Sequence, residues 1–317
     1  TQIAAIKDWN ESMKVGFIGL GNVGAKLAGS VLRNGFDLTV RDLDSSATGE
    51  FSRLGAHVAN SPKELAERCD AIITCLPSPR ISASVMEDED GVLAGLSEGN
   101  IWIEMSTTDQ QEVLRLGALV SERGAFAADC PVSGGCHRAA TGNIAIFAGC
   151  DRIVFDAVFP LLGAMGRRVL HTGPLGTASI LKVVTNYLAT ANLVSICEAL
   201  VTTETTGIDL ATAYEAIKIS SGNSFVHETE SQVILNGSRD INFTMDLVLK
   251  DISLFQEIAE RGQVPLEISP LLINIFQDAQ DRYGAREWSP NVIKRLEEAT
   301  DLVIQAPGFP AEIIDYE

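Results

Sequence analysis

The stretch 14-KVGFIGLGNVGAKLAGSVLRNGFDLTVRD-42 decides how the first half of this chain is read. Lys14 to Gly19 is a short apolar run with β-branched residues that stops at glycine, and Leu20 to Gly35 has helical spacing and closes on another glycine. Phe36 to Asp42 returns to a strand pattern. At the turn stands Gly19-Leu20-Gly21-Asn22-Val23-Gly24, a GxGxxG spacing that is weak alone. It gains weight here because it follows a strand, opens a helix, and is answered by Asp42, eighteen residues beyond Gly24. Gly19 permits the tight turn, Gly21 lets backbone approach a pyrophosphate, and Gly24 lets helix and strand pack closely, while the helix N-terminus offers N–H donors to phosphate. Asp42 would accept hydrogen bonds from ribose hydroxyls and repel a 2′-phosphate, so NAD is expected over NADP. Arg41 is the competing feature, a cation able to swing toward a phosphate, and a solvated strand end is the plain alternative for Asp42.

Outward from this unit the same grammar repeats. Helices are expected at 62–69, 81–87, 109–124 and 151–163, and strands at 70–77, 101–106, 125–132, 143–150 and 167–173. Strands alternating with helices imply an α/β fold, a Rossmann-type parallel sheet covered on both faces. From residue 177 the pattern is helical only: 177–206, 209–220, 225–235, 244–261, 269–283 and 289–304. The expected organisation is therefore a lead-in at 1–12, a dinucleotide-binding domain at 13–176, a long interdomain helix at 177–206 and an all-α domain at 207–317.

The chain of 317 residues is long enough for two domains, and 46% hydrophobic with 21% charged residues is a globular composition. A net charge of -18 repels nucleic-acid backbones and anionic membrane surfaces, so neither is expected as a partner. Six cysteines without a CxxC pair and four histidines without ligand spacing point to reduced thiols and no metal. A cytoplasmic location is expected, with an organelle matrix left open. TQIAAIKDWNES at the start has Asp8 and Glu11 and no apolar h-region, unlike a signal or transit peptide.

Two further segments carry chemistry. In 129-DCPVSGGCHRAATGNIAIFAG-149, Ser133, Gly134 and Gly135 follow a strand end, where backbone N–H groups and a hydroxyl can cradle a carboxylate. In 173-GPLGTASILKVVTN-186, Lys182 has Ala178, Ser179, Thr185 and Asn186 as helical neighbours, and no carboxylate lies three or four residues away. Two readings stay open: a lysine at an edge with its stem snorkelling to water, or one buried where desolvation suits a general acid/base.

Taken together, KVGFIGLGNVG, the 131-PVSGG-135 turn with Ala139 and Gly142 behind it, and the GxxGxxxxxKxxxN spacing of residues 173–186 resemble the β-hydroxyacid dehydrogenase family, which includes 3-hydroxyisobutyrate dehydrogenase. The similarity runs from about Met13 to Thr300. It implies Lys182 as catalytic acid/base assisted by Asn186, and Ser133, Gly134 and Gly135 around the substrate carboxylate. It also implies cofactor contacts from Leu76 and Pro77 in 75-CLP-77, Thr107 in 105-MSTT-108, and Lys250 in 249-LKDISL-254. For Lys250 an ordinary helical pair with Asp246 competes. Phe243 matches a position near the substrate, and Asn223 lies in a Ser221-Gly222-Asn223 loop that matches a cleft-closing segment.

The chain departs from the family at Cys136-His137-Arg138, where small or apolar residues are usual. His137 and Arg138 either meet a second anionic group on the substrate or form a solvated loop pair. The tail 301–317 extends past the usual family end and is apolar enough to pack, with a neighbouring subunit as one candidate. The activity implied is NAD-dependent interconversion of a small β-hydroxy acid, 3-hydroxyisobutyrate-like, with its semialdehyde or keto acid, in a homodimer or homotetramer. Rival readings are an imine reductase-like enzyme, which a lysine at 182 argues against, and a non-catalytic NAD-binding regulator, which the intact lysine and SGG turn argue against. The KxxHN arrangement of 6-phosphogluconate dehydrogenase is not met, since the chain reads Lys182-Val-Val-Thr-Asn186.

Overall fold

The computed structural model describes residues 13–313 and 315, so the lead-in expected at 1–12 lies outside the described residues. The first half runs β1 (Lys14–Ile18), α1 (Gly24–Arg33), β2 (Asp37–Arg41), α2 (Ser45–Arg53), β3 (His57–Val58), α3 (Pro62–Arg68), β4 (Ala71–Thr74), α4 (Pro79–Glu87) and α5 (Val92–Gly95). It continues with β5 (Ile101–Glu104), α6 (Gln110–Glu122), β6 (Phe126–Asp129), β7 (Val132–Ser133), α7 (Gly135–Thr141), β8 (Ala145–Gly149), α8 (Arg152–Met165) and β9 (Arg168–Gly173). The second half is α9 (Thr177–Thr205), α10 (Leu210–Lys218), α11 (Phe225–Leu235), α12 (Met245–Arg261), α13 (Ile268–Tyr283) and α14 (Lys294–Thr300).

The strands form one sheet in the order β3-β2-β1-β4-β5-β6-β8-β7, with β9 on β8. From β3 to β6 every pairing is parallel. The order reverses between β1 and β4, the switch point beside which open α/β sheets bind ligands. Alternation along the strands feeds two apolar layers: Val15, Phe17, Ile73, Ile101 and Ile103 enter one, while Ile18, Ile72 and Trp102 enter the other, against α3, α4 and α6. The expected parallel sheet is present, and its far side adds an antiparallel strand, β8 running against both β6 and β7. The chain turns back there through the glycine-bearing 133–142 segment, short enough for an antiparallel return.

Several short elements escape the sequence pattern, β3 and α5 among them, together with the helices α2 and α7. α2 is a polar helix, SSATGEFSR, started by Asp44, whose carboxylate accepts from the Ser46 N–H. α7 follows two glycines and closes on Gly142 in the left-handed region at φ 77°. The helix expected at 289–304 is instead a 3-10 turn at Ser289–Ile293 and then α14, ended by Asp301 at φ 54°.

The chain divides into two compact units inside α9, between Lys182 and Val183. In the helical unit, Leu193, Ile196, Cys197, Leu200 and Val201 of α9 join Tyr214, Ile234, Val248, Ile252 and Phe276 in one core. α9 is long and apolar enough to cross a membrane by length and composition, which for one such helix is weak evidence, and one face of it enters this core. The tail packs on its own unit. Ile304 is fully buried, the Ala306 N–H donates to the Leu235 carbonyl (2.9 Å), and Phe309 meets Tyr214 edge-on at 5.0 Å.

Candidate active site

The glycine loop after β1 is shaped by close approach. Gly19 sits at φ 99°, and a Cβ there would overlap the Cys75 carbonyl oxygen and stand 3.2 Å from Leu76 Cδ2. This contact brings the 75-CLP-77 turn, with exposed Pro77 at its tip, against the loop. A Cβ on Gly24 would overlap the Gly19 carbonyl oxygen. At Gly21, by contrast, a Cβ would meet nothing within 4 Å, and Gly21 and Asn22 are exposed. Open space over a helix mouth fits a pyrophosphate. The helix itself begins later than the sequence suggests, at Gly24 with Val23 as N-cap, and Ala25 N–H donates to the Gly21 carbonyl (3.0 Å).

Asp42 is not a loose strand end. Its Oδ2 accepts from the Leu20 N–H (2.6 Å) and its Oδ1 from the Asp44 N–H (2.8 Å), so the carboxylate ties the glycine loop to the end of β2. Each oxygen retains a second lone pair for a ribose hydroxyl. Arg41 turns its guanidinium back onto the Asp42 carbonyl rather than outward.

The neighbouring strand ends carry two buried acids that the sequence reading missed. Glu104 closes β5: its Oε1 accepts from the Ser106 N–H (2.8 Å), and the Ser106 hydroxyl accepts from the Leu76 N–H (2.7 Å). Glu104 thereby joins the 105-MSTT-108 turn, with half-buried Thr107, to the CLP turn. Burial pushes its carboxyl above the usual range against the pull of the Ser106 hydrogen bonds. Asp129 closes β6 as the register partner of Glu104. It accepts from the Gly176 N–H (2.8 Å), the Ser179 N–H (2.7 Å) and the Ser179 hydroxyl (3.0 Å), while burial again pushes its carboxyl up. An acidic residue ending an apolar strand run was the available signal for both.

The SGG turn sits on β7 and the start of α7, with Gly134 at φ 125° and Gly135 at φ 87°. His137 and Arg138 fold back over it: a Cβ on Gly135 would be 2.9 Å from His137 Cε1, and one on Gly134 would be 3.2 Å from Arg138 Cδ. Both are half-buried. Lys182 is only 8% exposed, between buried Ser179 and Val183, which sets aside the snorkelling option. Three thiols beside the strands, Cys69 before β4, Cys130 after β6 and Cys150 after β8, are poor nucleophiles. Burial pushes the Cys69 thiol to about 11 and Cys150 to about 12, and Cys130 well above its ordinary value.

In the helical unit the predicted residues fall in separate places. Asn186 donates to Asp251 Oδ2 (2.5 Å), and Lys250 Nζ lies 3.0 Å from Asp251 Oδ1. Asp246, the competing helical partner of Lys250, faces Arg286 at 3.1 Å. Asp251, 2% exposed, is the residue that joins Asn186 to Lys250, and only its adjacency to Lys250 could have flagged it. Asn223 precedes α11 and donates to Glu228 Oε1 (2.7 Å), whereas Phe243 precedes α12 and packs against the helical core.

Sheet order, glycine loop and acidic strand end define a dinucleotide-binding oxidoreductase with an appended helical unit. Residues 14–173 match the family described as the NAD binding domain of 6-phosphogluconate dehydrogenase. Residues 176–296 match the NAD-binding family of NADP-dependent 3-hydroxyisobutyrate dehydrogenase. The chain is 32% identical to 2-(hydroxymethyl)glutarate dehydrogenase of Eubacterium barkeri, covering 93% of this chain and 98% of that one. It is 32% identical to the mitochondrial 3-hydroxyisobutyrate dehydrogenase of Rattus norvegicus over 83% of this chain and 81% of the relative. A solved 3-hydroxyisobutyrate dehydrogenase from Salmonella typhimurium superposes with a TM-score of 0.82 at 26% identity, over 90% of this chain and 100% of the other. The chain belongs to the 3-hydroxyisobutyrate dehydrogenase family and is an NAD-dependent hydroxyacid dehydrogenase.

Proposed function

We propose that the enzyme oxidises a small β-hydroxy acid to its semialdehyde or keto acid, with Lys182 as the acid/base. The observation that carries this is Lys182 at 8% exposure, on a helix whose first turn is fastened to the strand that leads into Ser133-Gly134-Gly135. NAD, when bound over Gly21, supplies the hydride acceptor. Ser133 and the N–H groups of Gly134 and Gly135 hold the substrate carboxylate. Lys182 takes the hydroxyl proton as the carbinol C–H bond gives up its hydride, and returns the proton in the reductive direction. Leu76, Pro77 and Thr107 flank the cofactor. For Asn186, Lys250, Asn223 and Phe243 of the helical unit we propose the roles that the family resemblance implies: Asn186 assisting the acid/base, Lys250 a cofactor contact, and Asn223 and Phe243 substrate contacts.

His137 and Arg138, folded over the carboxylate cradle, favour a substrate with a second anionic group. The name of one relative specifies a glutarate, a dicarboxylate, bearing a hydroxymethyl group. We read 13–176 as the NAD-binding domain, 177–206 as the interdomain helix and 207–317 as the substrate and oligomerisation domain. A homodimer or homotetramer in the cytoplasm is the corresponding biological unit. The test is formation of reduced nicotinamide from NAD and a panel of 3-hydroxy acids, mono- and dicarboxylic, by the protein and its Lys182→Ala variant. Turnover by the first and at least a thousandfold less by the second, with NAD still bound, is the expected result. Equal rates would refute the role of Lys182.

A further inference from the structure

Asp129 links the strand that leads toward Ser133 to the first turn of the helix that carries Lys182. Its backbone ends β6, four residues before Ser133. Its carboxylate gathers the Gly176 N–H, the Ser179 N–H and the Ser179 hydroxyl at the mouth of α9, and Lys182 follows Ser179 by three residues, just under one helical turn. Backbone donors at a helix start need an acceptor, and a carboxylate satisfies them while complementing the positive end of the helix. Three donors and no acceptor face it, so the ionised form is the one the geometry serves.

The surroundings are cut to fit this joint. Gly149 on β8 is the register partner of Asp129. A Cβ on Gly149 would overlap Asp129 Oδ1 and come within 3.0 Å of both the Ala178 nitrogen and the Pro174 carbonyl oxygen. A second fastening, Thr172 Oγ1 to Thr177 Oγ1 at 2.7 Å, holds the same turn to β9. None of these residues makes the site by itself, but together they fix where α9 leaves the sheet.

We infer that Asp129 is a positioning residue for the dehydrogenase reaction, setting Lys182 relative to the Ser133-Gly134-Gly135 cradle through the first turn of α9. The inference rests on the acid/base role proposed for Lys182. It separates Asp129 from the cofactor site, because its partners lie on α9 and not on the glycine loop.

The experiment compares Asp129→Asn, Ser179→Ala, Gly149→Ala and Lys182→Ala in the full chain. NAD-binding sites are counted by titration, and kcat is expressed per site with the best hydroxy acid of the panel. A displacement near 1 Å at the reacting atoms costs about a hundredfold, which is the loss expected per site for Asp129→Asn and Gly149→Ala, with the Kd for NAD within about twofold of the parent. Ser179→Ala removes one of the three donors and is expected to cost about threefold to tenfold. A purely structural role would lower the number of NAD sites and leave kcat per site unchanged, which would overturn the inference. Should Asp129→Asn fail to fold, Ser179→Ala decides by the same readout. Full activity in Lys182→Ala would bring down the acid/base reading and this inference with it. An inactive Lys182→Ala beside unimpaired Ser179→Ala and Asp129→Asn would bring down this inference alone.

Discussion

Two alanine substitutions three residues apart in the glycine loop separate folding from cofactor binding. At Gly21 an added methyl meets no protein atom within 4 Å, and the residue lies outside the positive-φ region that penalises side chains. Gly21→Ala therefore leaves the ligand-free protein unchanged or raises its stability by about 0.4–1 kcal/mol through the unfolded chain. The same methyl occupies the space expected for the pyrophosphate, and overpacking of about 1–3 kcal/mol weakens NAD binding roughly 5- to 150-fold. At Gly24 the methyl overlaps the Gly19 carbonyl oxygen and stands 3.4 Å from Phe17 Cε1, so the cost falls on the fold itself. Gly24→Ala should lose about 1–3 kcal/mol without any ligand. Thermal unfolding with and without NAD, backed by direct titration, reads both. With NAD at about a hundred times the parent Kd, the parent gains about 2.7 kcal/mol, whereas a Gly21→Ala variant weakened a hundredfold gains only about 0.4. Parent-like NAD affinity in Gly21→Ala, or a ligand-free destabilisation matching that of Gly24→Ala, would refute the placement of the pyrophosphate.

Asp42→Ser removes both the carboxylate that ties down the Leu20 N–H and the charge that repels a 2′-phosphate. The NADP-to-NAD preference should move toward NADP by at least about tenfold, or ~1.4 kcal/mol, in paired titrations, and an unmoved ratio would contradict the assignment. Lys250→Met strands the buried Asp251 carboxylate; denaturant unfolding should show a loss of about 3 kcal/mol, and a neutral result would mean that Asn186 alone suffices. Glu230 has a carboxyl pushed up to about 8 by burial, with its Oε2 sealed from solvent and lacking a hydrogen-bond partner. Between its ordinary value and about 8 the folded state keeps a proton that the unfolded chain has released. This contribution is therefore present at low pH and lost as pH rises, by up to about 1.4 kcal/mol per unit. Glu230→Gln should flatten the fall in stability between pH 5.5 and 7.5, and an unchanged slope would show that Glu230 is not its source.

The glycine loop, the strand-helix alternation and the long helix carrying Lys182 were legible because each is a local pattern, with a spacing written in consecutive residues. α2 and α7 were not: SSATGEFSR is too polar to show an apolar stripe, and Gly134-Gly135 reads as a turn until Gly142 closes a helix behind it. The 289–304 segment looked like one helix because periodicity does not register the change from a 3-10 turn at Pro290 to α14. Lys250 shows the same limit. Helical spacing offered Asp246, but the preference for an i,i+4 pair is worth only about 0.2–0.5 kcal/mol; Asp246 faces Arg286, forty residues on, and Lys250 lies beside its chain neighbour Asp251.

By itself, then, the sequence determined the class of fold, the dinucleotide loop and the family, since these rest on glycine sterics and hydrophobic period, which are properties of short segments. Tertiary structure alone decided that Lys182 is buried, that His137 and Arg138 lie over the SGG turn, and that Glu104, Asp129 and Asp251 bind the functional segments together. The physical reason is distance along the chain. The Asp129 carboxylate meets donors forty-seven and fifty residues away, and the Asp251 carboxylate meets an amide sixty-five residues away. Such partners are chosen by which buried polar groups the packed core leaves to satisfy one another.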